Sequence, residues 1–227
     1  MNELIIVAEI IVVFSLLLIF KKRFGKEGLL SWVAIATLLA NIQVSKNINL
    51  FGLETALGNV LFASNFLATD ILIECYGKKA ANKAVCLGLF STIAYLVITQ
   101  ISLLYTPNSI DVASGAMDTL FGLSPRICLS SIAMYFISNL MSVFIYSKIK
   151  TATKGKYMWL RNNVTTIICN CLENFAFAFF AFAGLFPMSS IVSIALTGSI
   201  IEIIIAIIDT PFLYLATRKE RGKEWKY

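Results

Sequence analysis

The residues with chemical potential in this chain are carboxylates and amides set inside apolar runs. Asp70 and Glu74 stand four apart in Asn65-Phe-Leu-Ala-Thr-Asp70-Ile-Leu-Ile-Glu74, so on a helix they share one face. Two like charges at that spacing repel. At least one of them needs a proton, a cation, a substrate donor, or an Arg or Lys from elsewhere. The plain alternative is an interfacial carboxylate salt-bridged to Lys78 or a neighbouring loop. Asn163, Thr166, Asn170, Glu173 and Asn174 fall at offsets 0, 3, 7, 10 and 11, a single helical stripe. Phe177, Phe180 and Phe182 follow it. A carboxylate flanked by amides, with aromatic rings one to two turns on, suits a flat polar ligand. Glu173 would accept N–H donors, Asn170 and Asn174 would donate and accept, and the rings would stack. The plain alternative is hydrogen bonding between helices.

Other polar residues in apolar surroundings are Asn41, Asn65, Asn139, Glu202 and Asp209, the last in Asp209-Thr-Pro211. Pro211 cannot donate to the carbonyl of Ile207, so a carboxylate beside that loosened turn could act as a gate or a proton site. A structural kink is the competing reading. Arg126 follows Pro125 at the start of an apolar run and is a candidate for gating or coupling, or simply snorkels to the interface. The chain has no histidine. That excludes Ser-His-Asp and Cys-His catalysis and His-ligated zinc. The five cysteines form no CxxC pair and read as small hydrophobes. No metal site and no cofactor is expected.

These residues must be positioned by membrane helices. Of 227 residues, 58% are hydrophobic and 14% charged, and the mean hydropathy is +0.81. A soluble domain runs near ~45–50% apolar and ~25% charged. Seven apolar runs separate: Leu4–Phe20, Leu29–Lys46, Glu54–Glu74, Ala84–Tyr105, Ile127–Ser147, Asn163–Phe186 and Ser189–Thr217. Most reach the ~20 residues that cross a bilayer. The first is no signal peptide, because Lys21, Lys22, Arg23 and Lys26 follow it rather than precede it. In a seven-span arrangement, 17 of the 19 Lys and Arg lie on one side, and only Lys46 and Arg126 lie on the other. The positive-inside rule then puts the N-terminus outside and the C-terminus in the cytoplasm. The net charge of +6 is a topology signal, not a nucleic-acid patch. The expected fold is an all-α polytopic membrane bundle.

The string Phe66-Leu-Ala-Thr-Asp70-Ile-Leu-Ile-Glu74-Cys-Tyr-Gly77 resembles the signature of the bacterial queuosine precursor transporters, also described as vitamin-uptake-like. Further pieces come in the order that family shows. They are Pro125-Arg126, Trp159-Leu-Arg161-Asn-Asn before a Thr-Thr pair, Asn170-Cys-Leu-Glu173-Asn174 before an aromatic run, and Asp209-Thr-Pro211-Phe-Leu-Tyr214. The resemblance covers roughly residues 30–217. It implies a six-helix inner-membrane importer of 7-deazaguanines such as preQ0, preQ1 or queuine, for tRNA modification. Its fold would be similar to the substrate-binding subunits of energy-coupling-factor importers. Residues 1–28 would then be an extra helix with a basic loop, 29–217 the transporter core and 218–227 a basic tail. Members of the family often carry Lys eight residues before the Asp of Asp-Thr-Pro, where this chain has Ile201.

With that substrate class, the residues themselves point to substrate binding by Glu173, Asn170 and Asn174, with Asp70, Glu74, Asn65 and Asn41 contributing, and to gating or coupling by Arg126, Glu202 and Asp209. Its partners would be the small heterocycle and the lipid bilayer, with a homodimer or an energising module possible. The other reading is a substrate-binding subunit for another flat heterocycle or vitamin, docking a partner through the small residues Ala36 and Ala40. An intramembrane enzyme lacks a nucleophile motif here, and a cation channel lined by Asp70, Glu74 and Glu202 would conduct without any heterocycle.

Overall fold

The computed structural model describes residues 1–122, 125–184 and 187–218, with side chains throughout except at 47, 53, 54, 56 and 125–128. Among these residues it is a helical bundle with one small hairpin: α1 (Asn2–Gln43), β1 (Asn47–Leu50), β2 (Leu53–Ala56), α2 (Asn59–Tyr76), α3 (Lys78–Ser102), α4 (Ser114–Phe121), α5 (Pro125–Ala152), α6 (Met158–Phe182) and α7 (Met188–Thr217). Five helices are long and apolar enough to cross a membrane.

The 42 residues of α1 are not one rod. Gly25 interrupts it with φ 59° and ψ −129°, a conformation that glycine alone adopts without strain. A Cβ on Gly28 would collide with the carbonyl of Phe20, so both glycines serve the turn. The two limbs then run back along each other. Gln43 Nε2 donates to Glu9 Oε1 at 3.0 Å, and the rings of Phe20 and Trp32 meet edge to face at 5.5 Å. The first two apolar runs of the sequence are these limbs. The first limb is part of the packed interior. Phe14 and Leu17 are fully buried, and Phe14 packs on Phe212 of α7 with ring centroids 5.1 Å apart.

The third apolar run is shorter as a helix than the sequence suggests. Residues 47–56 form an antiparallel hairpin, pairing Asn47 with Ala56 and Leu50 with Leu53. Helix α2 begins only at Asn59. Phe51 and Gly52 make the two-residue turn, both with positive φ (51° and 80°), as the tight hairpin turns require. The small stripe on α1 faces inward. Ala36 and Ala40 are buried, and an added Cβ on Gly58 would stand 3.1 Å from the carbonyl oxygen of Ala40. That close approach uses the stripe inside the molecule, which removes it as a docking surface for a partner. Helix α7 runs on through Pro211 to Thr217.

The bundle is apolar on its outside as well as in its core, and its polar side chains are enclosed within it. Ile5 and Val12 on α1, Phe90 and Val97 on α3, and Ile200, Ile204 and Ile207 on α7 are exposed. Asn65, Asp70, Asn139, Asn162, Asn170 and Asp209 are each at most 1% exposed. Lipid demands this enclosure, because polar side chains must find partners in the interior.

Candidate functional site

A cavity of about 870 Å³ lies at the hairpin end of the bundle, within the range that holds small ligands. Glu173, Asn174, Asn41 and Glu202 line it, together with the rings of Phe62, Phe66, Tyr95, Tyr135, Phe177 and Phe182. Ile48, Asn49 and Thr55 of the hairpin form part of its wall. The stripe on α6 explains this placement. Glu173 and Asn174 come one helical turn before Phe177 and Ala178, so polar and aromatic groups face the same space.

One carboxylate of the wall, Glu202, is held by an amide. Asn174 Nδ2 donates to Glu202 Oε2 at 2.8 Å and to the Asn170 carbonyl at 3.0 Å. Gly198 makes room for this pair, since a Cβ there would stand 2.8 Å from Asn174 Oδ1. Asn41 Nδ2 donates to the Thr37 carbonyl at 2.8 Å. Asn65 does not line the cavity. Its Nδ2 donates to Thr37 Oγ1 at 3.0 Å, and that hydroxyl stands 3.3 Å from Tyr135 Oη, so Asn65 braces a ring in the wall. A Cβ on Gly88 would collide with Tyr135 Oη. Glycine at 88 therefore lets Tyr135 seat against α3. Asn170 lies behind the wall, 1% exposed.

We expect Gly198→Ala to push Asn174 off Glu202 and to weaken binding of a ligand in this cavity about tenfold, which is roughly 1.4 kcal/mol, one charge-assisted hydrogen bond. Equilibrium binding to the purified variant measures this. Unchanged affinity would show that the Asn174–Glu202 contact does not shape the site.

The signature carboxylates sit at the opposite end of the bundle. Glu74 is held by Arg161 (Oε1 to Nη2, 2.6 Å; Oε1 to Nε, 2.8 Å) and by Lys150 (3.2 Å). Arg161 is 2% exposed, gives Nη1 to the carbonyls of Gly155 and Lys156, and lies over the Tyr146 ring at 5.5 Å. Asp209 Oδ1 accepts from Asn162 Nδ2 at 2.8 Å. Asp70, Glu74 and Asp209 thus gather in a second polar cluster and do not line the cavity. Glu74 found its counter-ions on α5 and α6 rather than at Lys78, which lies over the Phe144 ring. The side chain of Arg126 lies outside the described residues. Ile201 packs into the apolar core.

Sequence reasoning missed Tyr135, Phe62 and Phe66 as wall residues, because ordinary core aromatics look the same in a sequence. Gly198 carried a signal. It precedes Glu202 by four residues and so shares its face.

Comparison with known proteins places this architecture. The family described as "Putative vitamin uptake transporter" matches residues 56–216. A "Probable queuosine precursor transporter" of Bacillus subtilis (strain 168) is 36% identical over 209 residues, covering 92% of this chain and 91% of that protein. The "Queuosine precursor transporter" of Escherichia coli (strain K12) is 25% identical over 157 residues, covering 67% and 68%. No solved structure matches. The family match spans α2 to α7, and the Bacillus subtilis protein aligns over nearly the whole length. The chain is a multi-pass membrane transporter and belongs to the vitamin uptake transporter family.

Proposed function

We propose that this chain imports queuosine precursors, 7-deazaguanines such as preQ0, preQ1 or queuine, across the bacterial inner membrane for tRNA modification. The observation that carries the reading is Glu173 in the wall of an aromatic-sided cavity. The pairing edge of a 7-deazaguanine offers N1–H and a 2-amino group, both donors. A carboxylate accepts both at once, and aromatic rings take the flat faces, as they do with unpaired bases. Asn174, braced by Glu202, and Asn41 are suited to hold the remaining heteroatoms.

In this reading the chain crosses the membrane seven times, with its N-terminus outside. The break in α1 at Gly25 supports counting it as two spans. Helix α2, 18 residues long, reaches about 27 Å at 1.5 Å per residue, close to the hydrocarbon thickness. All the basic residues but Lys46 and Arg126 then lie on the side of the Glu74–Arg161–Lys150 cluster. The cavity belongs to the outer half, bordered by the hairpin, and the ion-pair cluster closes the inner half. Transport requires the hairpin end to close and the Glu74 end to open in turn.

The test is uptake in a host that neither makes queuosine nor has its own importer. Each of preQ0, preQ1 and queuine is supplied separately and queuosine is scored in tRNA. Rescue by one of them is the expected result. No rescue with the protein present in the membrane would overturn the assignment. Uptake by the purified chain alone in liposomes is also expected. A strict requirement for a copurifying ATPase module would make it a substrate-binding subunit instead.

A further inference from the structure

A second group of buried acids lies away from the cavity, and the substrate reading does not use it. Asp70 is two-thirds of the way along α2, Asp209 is in the last third of α7, and Asn162 is in the second turn of α6. Each is at most 1% exposed. Helices α2 and α7, which carry the two acids, pack against each other, and Asn162 Nδ2 donates to Asp209 Oδ1 at 2.8 Å. Asp70 Oδ1 and Asn162 Oδ1 have no hydrogen-bond partner among the described residues, nor do Thr165 Oγ1 and Thr166 Oγ1 one turn further on. Buried polar atoms are almost always satisfied, and each exception needs a reason.

The surrounding charges do not supply one. Facing Asp70 are Glu74 on its own helix, Tyr146 on α5, Arg161 and Cys169 on α6, and Asp209 on α7. Arg161 and Lys150 are committed to Glu74 and to backbone carbonyls. From α1, Lys21 donates to the Ala216 carbonyl. From α3, Lys78 lies over Phe144, and Lys79 and Lys83 are exposed. Among the described residues neither Asp70 nor Asp209 has an ion pair, so three carboxylates face two committed cations. An uncompensated charge is expensive in such a place.

We propose that Asp70 and Asp209, with Asn162, form a site for one monovalent cation, a proton or a sodium ion. One positive charge balances the cluster, and the donor set is oxygen only, which suits a hard cation. Its coupling to transport rests on the substrate reading above; the site itself does not. The link is structural. Asp209 follows Glu202 by two helical turns on α7, and Asn162 shares α6 with Glu173 and Asn174. A cation that draws Asp70 toward Asp209 fixes α2 against α6 and α7, the helices that carry the cavity wall.

The test begins without any heterocycle, on purified protein in lipid nanodiscs. In the sodium arm, radioactive sodium binds at about one ion per chain, and Asp70→Asn or Asp209→Asn lowers that binding at least tenfold. In the proton arm, sodium does not bind, and the infrared band of a protonated carboxyl titrates in the wild type and is lost in one of those variants. Neither signal in the wild type, or a signal unchanged in both variants, overturns the site. Coupling is then read in liposomes. Both Asn variants are expected to lose acceleration by an inward gradient of that cation while keeping heterocycle counterflow within about threefold. A retained gradient response overturns coupling. Glu173→Gln in the same vesicles should lose counterflow and keep the cation signal, which separates failure of the substrate reading from failure of the site. If an Asn variant does not fold, Asp70→Glu and Asp209→Glu keep a carboxylate and should shift the cation dependence. An unshifted dependence would overturn the proposal.

Discussion

Glu173→Gln is expected to lower heterocycle uptake at least about 100-fold while the protein stays in the membrane at normal levels. The carboxylate accepts from two donors on one edge of the ligand. Each charge-assisted hydrogen bond is worth ~1.5–3 kcal/mol, so losing two weakens binding by about two orders of magnitude or more. The amide also turns an N–H toward the ligand's donors, where it repels them. Glu173→Asp keeps the charge one methylene further back and should retain part of the activity. Uptake of labelled preQ1, scored beside immunoblots of the membrane fraction, measures all three proteins. Normal uptake by Glu173→Gln would remove this residue from the site.

The second large effect concerns stability. Arg161→Met should destabilise the protein by about 3–5 kcal/mol, because it breaks a buried ion pair and leaves Glu74 with Lys150 as its remaining cation. For a chain of this size that is on the order of 10 °C in melting temperature. Pairing Arg161→Met with Glu74→Gln should recover most of the loss, since the stranded charge is then gone. Thermal unfolding in detergent of the two single variants and the double variant tests this. Additive losses would mean that Arg161 and Glu74 stabilise the bundle independently.

The comparison of these two clusters shows what the sequence made legible. The apolar runs were legible because a bilayer sets their length and forbids most charges within them. The α6 stripe was legible because its offsets follow a helical period, and it leads directly to Glu173 and Asn174 in the cavity wall. The ion pair was only half legible. Glu74 needed a counter-ion, but Arg161 lies 87 residues away, and nothing local pairs them. Asp70 and Glu74 shared a helix face with each other yet not with the cavity, because the helix that carries them ends at the other end of the bundle. The hairpin was hidden because residues 47–58 are apolar enough to extend a span, and its turn is Phe51-Gly52 rather than Asn-Gly. The inward use of Ala36 and Ala40 depended on Gly58, which only the folded chain brings beside them.

The central claim is that Glu173 reads the donor edge of a 7-deazaguanine. The most direct test compares binding of preQ1 with binding of the same heterocycle lacking its 2-amino group, to the wild type and to Glu173→Gln. The account predicts that the wild type binds the deaminated analogue at least tenfold more weakly, and that Glu173→Gln binds both weakly and nearly alike. An equal preference for preQ1 in both proteins would contradict it, and would place recognition of that edge on another residue.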